Sequence, residues 1–238
     1  MKWRSLAEAS QSTDRRPLRE IFAERKALVA RYVPQEVRDI HTRVVDELKK
    51  YPFSTPTVGT PAPKLELKDH NSKLVSSAAL LLEGPLVLFV LRGRWCPFCV
   101  GQLEAMTIVT DEIKRAGASI VAISPQTVQQ SFFMHDQHKP GFPLLSDPGN
   151  QVARQFGLVY RVPEYQQAIY KRAFVNLAFA NGDNSWELPI PATFIIDRKG
   201  FVLYASANPD YTDRPEPAEI LQALTSFSHQ AGQNPPVR

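Results

Sequence analysis

Cysteine is scarce in this chain. There are two in 238 residues, Cys96 and Cys99, three positions apart. That excludes a disulfide-scaffold domain, and in a reducing compartment a close pair is catalytic or metal-binding rather than a structural staple. Long apolar runs are lacking too. The longest, Leu86–Leu91, falls far short of the roughly 18 residues that cross a bilayer. The amino terminus MKWRSLAEASQSTDRRPL is basic but has no apolar segment of a secretory signal, and Glu8 and Asp14 speak against an organelle transit peptide. The expectation is a soluble cytoplasmic protein without a membrane partner. Charge of one sign is barely in excess: 28 Lys and Arg against 24 Asp and Glu, net +4. The two signs are interleaved, without the basic stripe and stacking aromatics of a nucleic-acid binder, so no nucleic-acid partner is expected. Internal repeats and low-complexity tracts are absent as well.

What is present suits a globular chain. A 43% hydrophobic composition can fill one large core or one core with an appendage. Residues 1–16 are polar. From Pro17 to Tyr51 the apolar positions recur at helical spacing: Leu18, Ile21, Phe22, Leu28 and Val29, then Val37, Ile40, Val44, Val45 and Leu48 after Pro34. Two helices in a hairpin are expected there, used for packing or for a homodimer contact. The linker PFSTPTVGTPAP (52–63) follows.

Beyond it, short apolar strands alternate with amphipathic helices. Strands are expected at 86–91, 119–124, 143–146, 193–197 and 201–205, and helices at 97–116, 126–137, 148–156 and 215–227. This is an α/β fold with a mixed central sheet. Ser124-Pro125 and Asp147-Pro148 each place a capping side chain before a first-turn proline. Lys114 and Arg115 before Gly117 favour a helix end. Between Gly157 and Pro189 lies an insertion with one expected helix at about 164–175. The resulting division is a helical extension (1–52), an α/β domain (53–228) and a polar tail (229–238).

The stretch VLFVLRGRWCPFCVGQLEAM (87–106) carries the chemistry. An apolar strand ends, and Pro97 suits the first position of a helix, which makes Cys96 its N-cap. Unpaired N–H groups and the positive helix end then favour a Cys96 thiolate, with Arg92 and Arg94 adding charge. Cys99 lies one turn along the same face, near the Cα separation of about 5.5 Å that a disulfide needs. Being deeper, it is the less acidic thiol, so Cys96 reads as attacker and Cys99 as resolver. Half of a zinc site is the rival reading. His135 and His138 in MHDQHKPGF would have to complete it, and that stretch reads more simply as an exposed helix end. No metal and no cofactor is expected. In LPIPATFIIDRKGFVLY (188–204), Pro191 before a strand is the mark of a cis bond, which would present the Ile190 backbone to a segment beside the cysteines.

Taken together, these residues resemble a thioredoxin fold, and more closely the peroxiredoxin-like members of the AhpC/TSA (alkyl hydroperoxide reductase and thiol-specific antioxidant) family. The matching segments are VGTPAPKLEL, LRGRWCPFCVGQLEAM, VAISPQTVQQ, FPLLSDPGNQVARQFGL, NGDNSWELPIPATFIID and ANPDYTDRPEPAEIL, in the family's order over roughly 55–225. The resemblance implies reduction of a small peroxide through a Cys96 sulfenic acid resolved by Cys99, with electrons from thioredoxin or a similar dithiol. One departure stands out. The family pattern P-x-x-x-T-x-x-C places its Thr at Gly93 and its Pro at Phe89, and its distant Arg falls at Pro191. Arg92 and Arg94 are expected to substitute, with peroxide reduction slower in consequence. Trp95, Gly93, Ile190, Pro191 and Thr193 are the expected substrate-facing residues, Trp95 shielding one side of the sulfur or packing on the sheet. Two further readings stay open: a thiol:disulfide oxidoreductase acting on proteins, and a non-catalytic redox-sensing interaction module.

Overall fold

The computed structural model describes residues 14–233, with side chains through residue 227. The first 13 residues of the expected polar start and the end of the tail, 234–238, lie outside it. Two helices lead, α1 (Leu18–Tyr32) and α2 (Gln35–Lys49). A hairpin of β1 (Glu66–Asp69) and β2 (Leu74–Ser76), then α3 (Ser77–Glu83), precede β3 (Leu86–Val90). Next come α4 (Pro97–Ile108), α5 (Thr110–Arg115), β4 (Ser119–Ser124), α6 (Val128–His138) and β5 (Leu144–Ser146). A 3-10 turn at Pro148–Asn150 leads to α7 (Gln151–Gln155), β6 (Val159–Arg161), α8 (Glu164–Arg172), α9 (Leu177–Asn181) and β7 (Glu187–Pro189). The hairpin β8 (Ala192–Ile196) and β9 (Val202–Ala207) and the helix α10 (Pro217–Gln233) complete the described chain.

Seven strands form one sheet in the order β2-β1-β5-β4-β3-β8-β9, and β6 pairs with β7 apart from it. β3, β4 and β5 are parallel neighbours. The pairs β3–β8, β8–β9, β1–β5 and β1–β2 are antiparallel, so the sheet is mixed as expected. All five residues of β3 are buried, because helices cover both faces of the sheet and no polar alternation is needed. The pleat divides them by turns. Val87 and Phe89 enter the core under α1, α4 and α10, whereas Leu86, Leu88 and Val90 enter the core shared with α7, β6 and β7.

Several expectations change here. The single helix over 97–116 is two, broken at Val109 (φ −101°, ψ 6°). The run Thr107-Ile108-Val109-Thr110 is β-branched, and the Thr110 hydroxyl donates to the Met106 carbonyl at 2.9 Å, which competes with continuation. The cap before α6 is Thr127, which accepts from Gln130 N, not Ser124, because β4 extends through that serine. Asp147 makes no cap bond to the turn that Pro148 opens; its carboxylate accepts further on, from Val152 N at 3.0 Å and Ala153 N at 2.9 Å in the first turn of α7, whose N-cap is Asn150. The 158–189 insertion holds the expected helix as α8 and adds a second helix and a two-stranded sheet. The histidines near the end of α6 are not an exposed helix end. His138 is buried with Nδ1 3.4 Å from Glu104 Oε1, and His135 stacks on His70 at 3.5 Å between ring centroids. The unforeseen β1–β2 hairpin carries His70 there.

The amino-terminal helices pack on the α/β body. Leu18, Phe22 and Val44 are buried, while Leu28 is exposed. Phe22 meets Phe98 of α4 edge-on at 5.0 Å, Arg25 Nη1 donates to the Pro97 carbonyl, and the Glu216 carboxylate accepts from the Leu18 and Arg19 amides at 2.8 Å each.

Candidate active site around the cysteine pair

β3 delivers the chain into Arg92-Gly93-Arg94-Trp95, and the turn reverses onto α4. Gly93 has φ +139°, and a Cβ there would sit 2.7 Å from Trp95 Nε1, so a larger residue is sterically refused. Its carbonyl accepts from Cys96 N at 3.1 Å. Cys96 is the extended N-cap of α4 (φ −94°, ψ 112°) with Pro97 at the first position, as the sequence predicts. Both cysteines are reduced and buried, 1% and 0% exposed.

Two guanidiniums surround them. Arg92, 2% exposed, lies over Tyr211 at 4.4 Å and over Trp95 at 5.0 Å, and its Nη2 donates to the Tyr170 hydroxyl. Arg214 reaches in from the loop before α10 and places Nη2 3.6 Å from Cys99 Sγ. Cys99 Sγ also accepts from the Arg92 backbone N–H at 3.3 Å. Burial by itself would raise the Cys96 pKa. The hydrogen-bonded Cys99 thiol, the charges of Arg92 and Arg214 and the Cys99 backbone amide outweigh it and bring Cys96 down to about 5. Burial and the adjacent Cys96 sulfur drive Cys99 well above its ordinary value. The pair therefore holds one proton and one negative charge, on Cys96.

Aromatic residues close the site. Burial raises the pKa of Tyr160, Tyr170 and Tyr211, the last to about 12, so all three are neutral donors at pH 7. His41 of α2 lies 6.4 Å from Tyr170 and 6.2 Å from Tyr211 between ring centroids. Burial, then Arg92, lower its pKa to about 4. A cleft of about 320 Å³ between α2 and the 210–212 loop ends on His41 and Tyr211. Four buried N–H donors on the residues that flank the pair have no partner: Arg92 Nε, Arg214 Nε, Arg214 Nη1 and Trp95 Nε1. Leaving such donors unpaired is costly.

The expected residues do not all gather. Cys96, Cys99, Arg92, Gly93 and Trp95 come together, and Trp95, 5.4 Å from Tyr170, packs against both halves of the core. Arg94 turns away. Its amide donates to Gln126 Oε1 at 2.5 Å and its Nε to Gln130 Oε1 at 2.9 Å, acceptors offered by α6 and the turn just before it. Pro191 is trans, as are all described peptide bonds. The cis expectation fails because residues 189–192 join two extended segments, where no tight turn demands cis. The Ile190 amide is engaged by the Leu158 carbonyl at 2.8 Å. Thr193, wholly buried in β8, accepts from Gln102 Nε2 of α4 at 3.2 Å and so ties the helix to the sheet. Arg214, Tyr160, Tyr170, Tyr211 and His41 were missed. Tyr211 and Arg214 lie in the matched block ANPDYTDRPEPAEIL, which gave no residue a role, and Tyr160, Tyr170 and His41 lie in no matched segment.

The family model described as AhpC/TSA family matches residues 58–205. The chain belongs to the AhpC/TSA family. Among curated relatives, chloroplastic peroxiredoxin Q of Triticum aestivum is 28% identical over 168 residues, 70% of this chain and 67% of that one. That of Sedum lineare is 26% identical over 174 residues, 72% and 81% of the two chains. Among solved structures, peroxidoxin BcpB of Mycobacterium tuberculosis superposes with TM-score 0.55 at 24% identity, covering 72% of this chain and 98% of its own; that likeness speaks for the fold. As a peroxiredoxin-like AhpC/TSA member with a thioredoxin-like fold, the chain keeps the family's strand–turn–helix around Cys96. It departs in the cradle, where Gly93, held at positive φ, cannot be exchanged for Thr without moving Trp95. The plant relatives are chloroplastic by name, and no described helix is long and apolar enough to cross a membrane.

Proposed function

We propose that the chain is a thiol-dependent peroxidase that reduces hydrogen peroxide or alkyl hydroperoxides. One observation carries this reading: buried Cys96, whose pKa the Cys99 thiol and the charges of Arg92 and Arg214 bring down, is grouped with buried N–H donors of Arg92, Arg214 and Trp95 that have no partner. Cleaving an O–O bond needs a sulfur nucleophile and fixed donors for the negative charge growing on the departing oxygen. Arg214 and Trp95 would supply donors that the missing Thr and Arg of the family pattern do not. Cys96 attacks and becomes a sulfenic acid, Cys99 condenses with it to a disulfide, and thioredoxin or a similar dithiol reduces that disulfide. A reducing compartment, the cytoplasm in the sequence reading, would keep such a pair reduced.

Burial of both sulfurs favours a small peroxide over a protein disulfide as first substrate, since a protein reaches a sulfur that is 1% exposed only after the site opens, as it must for the later reduction by a dithiol protein. A lowered Cys96 pKa also disfavours a merely structural or sensing pair, for which the thiol would sit near its ordinary 8.5. The test is stopped-flow oxidation of the reduced protein, followed by tryptophan fluorescence, with hydrogen peroxide, an alkyl hydroperoxide and a protein disulfide in parallel. Peroxides are expected to react at least about 10²-fold faster than with a free thiol. Rapid reaction with the protein disulfide alone would make the chain a thiol:disulfide oxidoreductase instead.

A further inference from the structure

Two guanidiniums and one negative sulfur share the site, and no carboxylate forms an ion pair with Arg92 or Arg214 among the described residues. The two best-placed donors, however, aim at the resolver. Cys99 Sγ receives the Arg92 N–H at 3.3 Å and Arg214 Nη2 at 3.6 Å. A neutral thiol sulfur is a weak acceptor, so one amide and one cation directed at it fit a state in which Cys99 is the thiolate. That state arises during turnover. Once Cys96 carries oxygen it is neutral, and the charge that held the Cys99 proton in place is gone. The two cations then act on Cys99 alone.

Resting on the peroxidase reading above, we propose that Cys99 is the general acid of the first step as well as the resolver of the second. The Cys96 thiolate attacks the terminal oxygen of ROOH; the S–O bond forms, the O–O bond breaks, and RO⁻ departs with the bonding pair. The sulfur is oxidised by two electrons and the peroxide is reduced by two. The Cys99 proton passes to RO⁻, directly or through one water, and gives ROH. The Cys99 thiolate, held by the Arg92 amide and Arg214, then attacks Cys96; the S–S bond forms, the S–OH bond breaks, and hydroxide leaves to take a proton from solvent. One negative charge thus stays between the two guanidiniums until the disulfide closes.

The other titratable groups packed around Arg92 are the rival proton donors. His41 is neutral at pH 7, and burial makes the Tyr160, Tyr170 and Tyr211 hydroxyls harder to ionise. Wild type, Cys99→Ala, Cys99→Ser and Tyr211→Phe are compared in single-turnover oxidation of Cys96. A series of hydroperoxides with alcohols of graded pKa is used, at a pH above the Cys96 titration of each variant. The wild-type rate is expected to be nearly independent of alcohol pKa and to show a solvent deuterium isotope effect. Cys99→Ala is expected to lose about 10²-fold with the most basic leaving group, to gain a steep dependence on alcohol pKa and to lose the isotope effect. Cys99→Ser, close in size and still a donor, is expected to fall between. A structural role for Cys99 would lower every rate by one factor and leave the slope alone, and that result overturns the proposal. So does a steep slope appearing in Tyr211→Phe while Cys99→Ala stays flat. A wild type no faster than a free thiol with any peroxide defeats the peroxidase reading, and this proposal with it.

Discussion

At the residue scale, the order of acidity within the pair follows from position: Cys96 caps a helix and faces two cations, and Cys99 lies beneath a sulfur that already carries the charge. Iodoacetamide is therefore expected to label Cys96 before Cys99. The labelling rate should be on its plateau at pH 7 and fall to half near pH 5. The sign is that of a depressed acid: reactivity is present above the folded-state pKa and lost as pH falls through it, whereas the denatured chain should titrate near the ordinary value of about 8.5. The arginines separate as cleanly. Arg214→Ala is expected to lower the peroxide rate about 10²-fold and raise the Cys96 pKa. Arg94→Ala, whose native side chain bonds Gln130, should leave the rate within about twofold. Equal effects of the two substitutions in stopped-flow oxidation would refute the assignment. Arg92 was legible because it lies four residues from the nucleophile. Arg214 was not, since nothing in TDRPEP shows that a loop 115 residues from Cys99 folds back upon it.

At the scale of elements, the chain packs α1 against α4 through the smallest residue available. A Cβ at Gly101 would come within 2.7 Å of the Phe22 ring, which has little room to yield. Alanine is the better helix former by about 1 kcal/mol, yet Gly101→Ala is expected to destabilise by about 1–3 kcal/mol through overpacking. Thermal or urea unfolding measures this, and a stabilised variant would show that α1 docks loosely. The buried parallel strands were legible, β4 to the residue, because an unbroken apolar run between turn signals has few other uses. β1 and β2 were not: their burial is mixed and their length four and three residues, too short for a period to show. The 158–189 segment hid two three-residue strands for the same reason.

At the scale of the molecule, the helical extension closes the side of the site that α4 leaves open. Phe22 and Arg25 lie on the first turn of α4, and His41 lies beside Tyr170 and Tyr211. A molecule built this way should discriminate by size. The reduced protein is expected to react readily with hydrogen peroxide and slowly with 5,5′-dithiobis(2-nitrobenzoate). In Phe22→Ala/Arg25→Ala, the aromatic disulfide should gain about tenfold or more while hydrogen peroxide changes little. Equal gains for both reagents would mean that the extension governs the sulfur itself rather than access to it, a gain of tenfold being about 1.4 kcal/mol.

The sequence by itself determined the α/β alternation, Cys96 as the N-cap of α4 and Cys99 one turn on. All three are local: a run, a proline position, a spacing of three. Only the tertiary structure decided which arginine serves the sulfurs, that the Pro191 bond is trans, and that three tyrosines, a histidine and Arg214 close the site from segments scattered over 170 residues. Those outcomes depend on where chain ends meet across the sheet, and a side chain's hydrogen-bond partner is set by that meeting rather than by its neighbours in sequence. Arg94 makes the point most directly. Two residues from Cys96, it bonds instead to Gln130 of α6 through its side chain and to Gln126, just before that helix, through its amide.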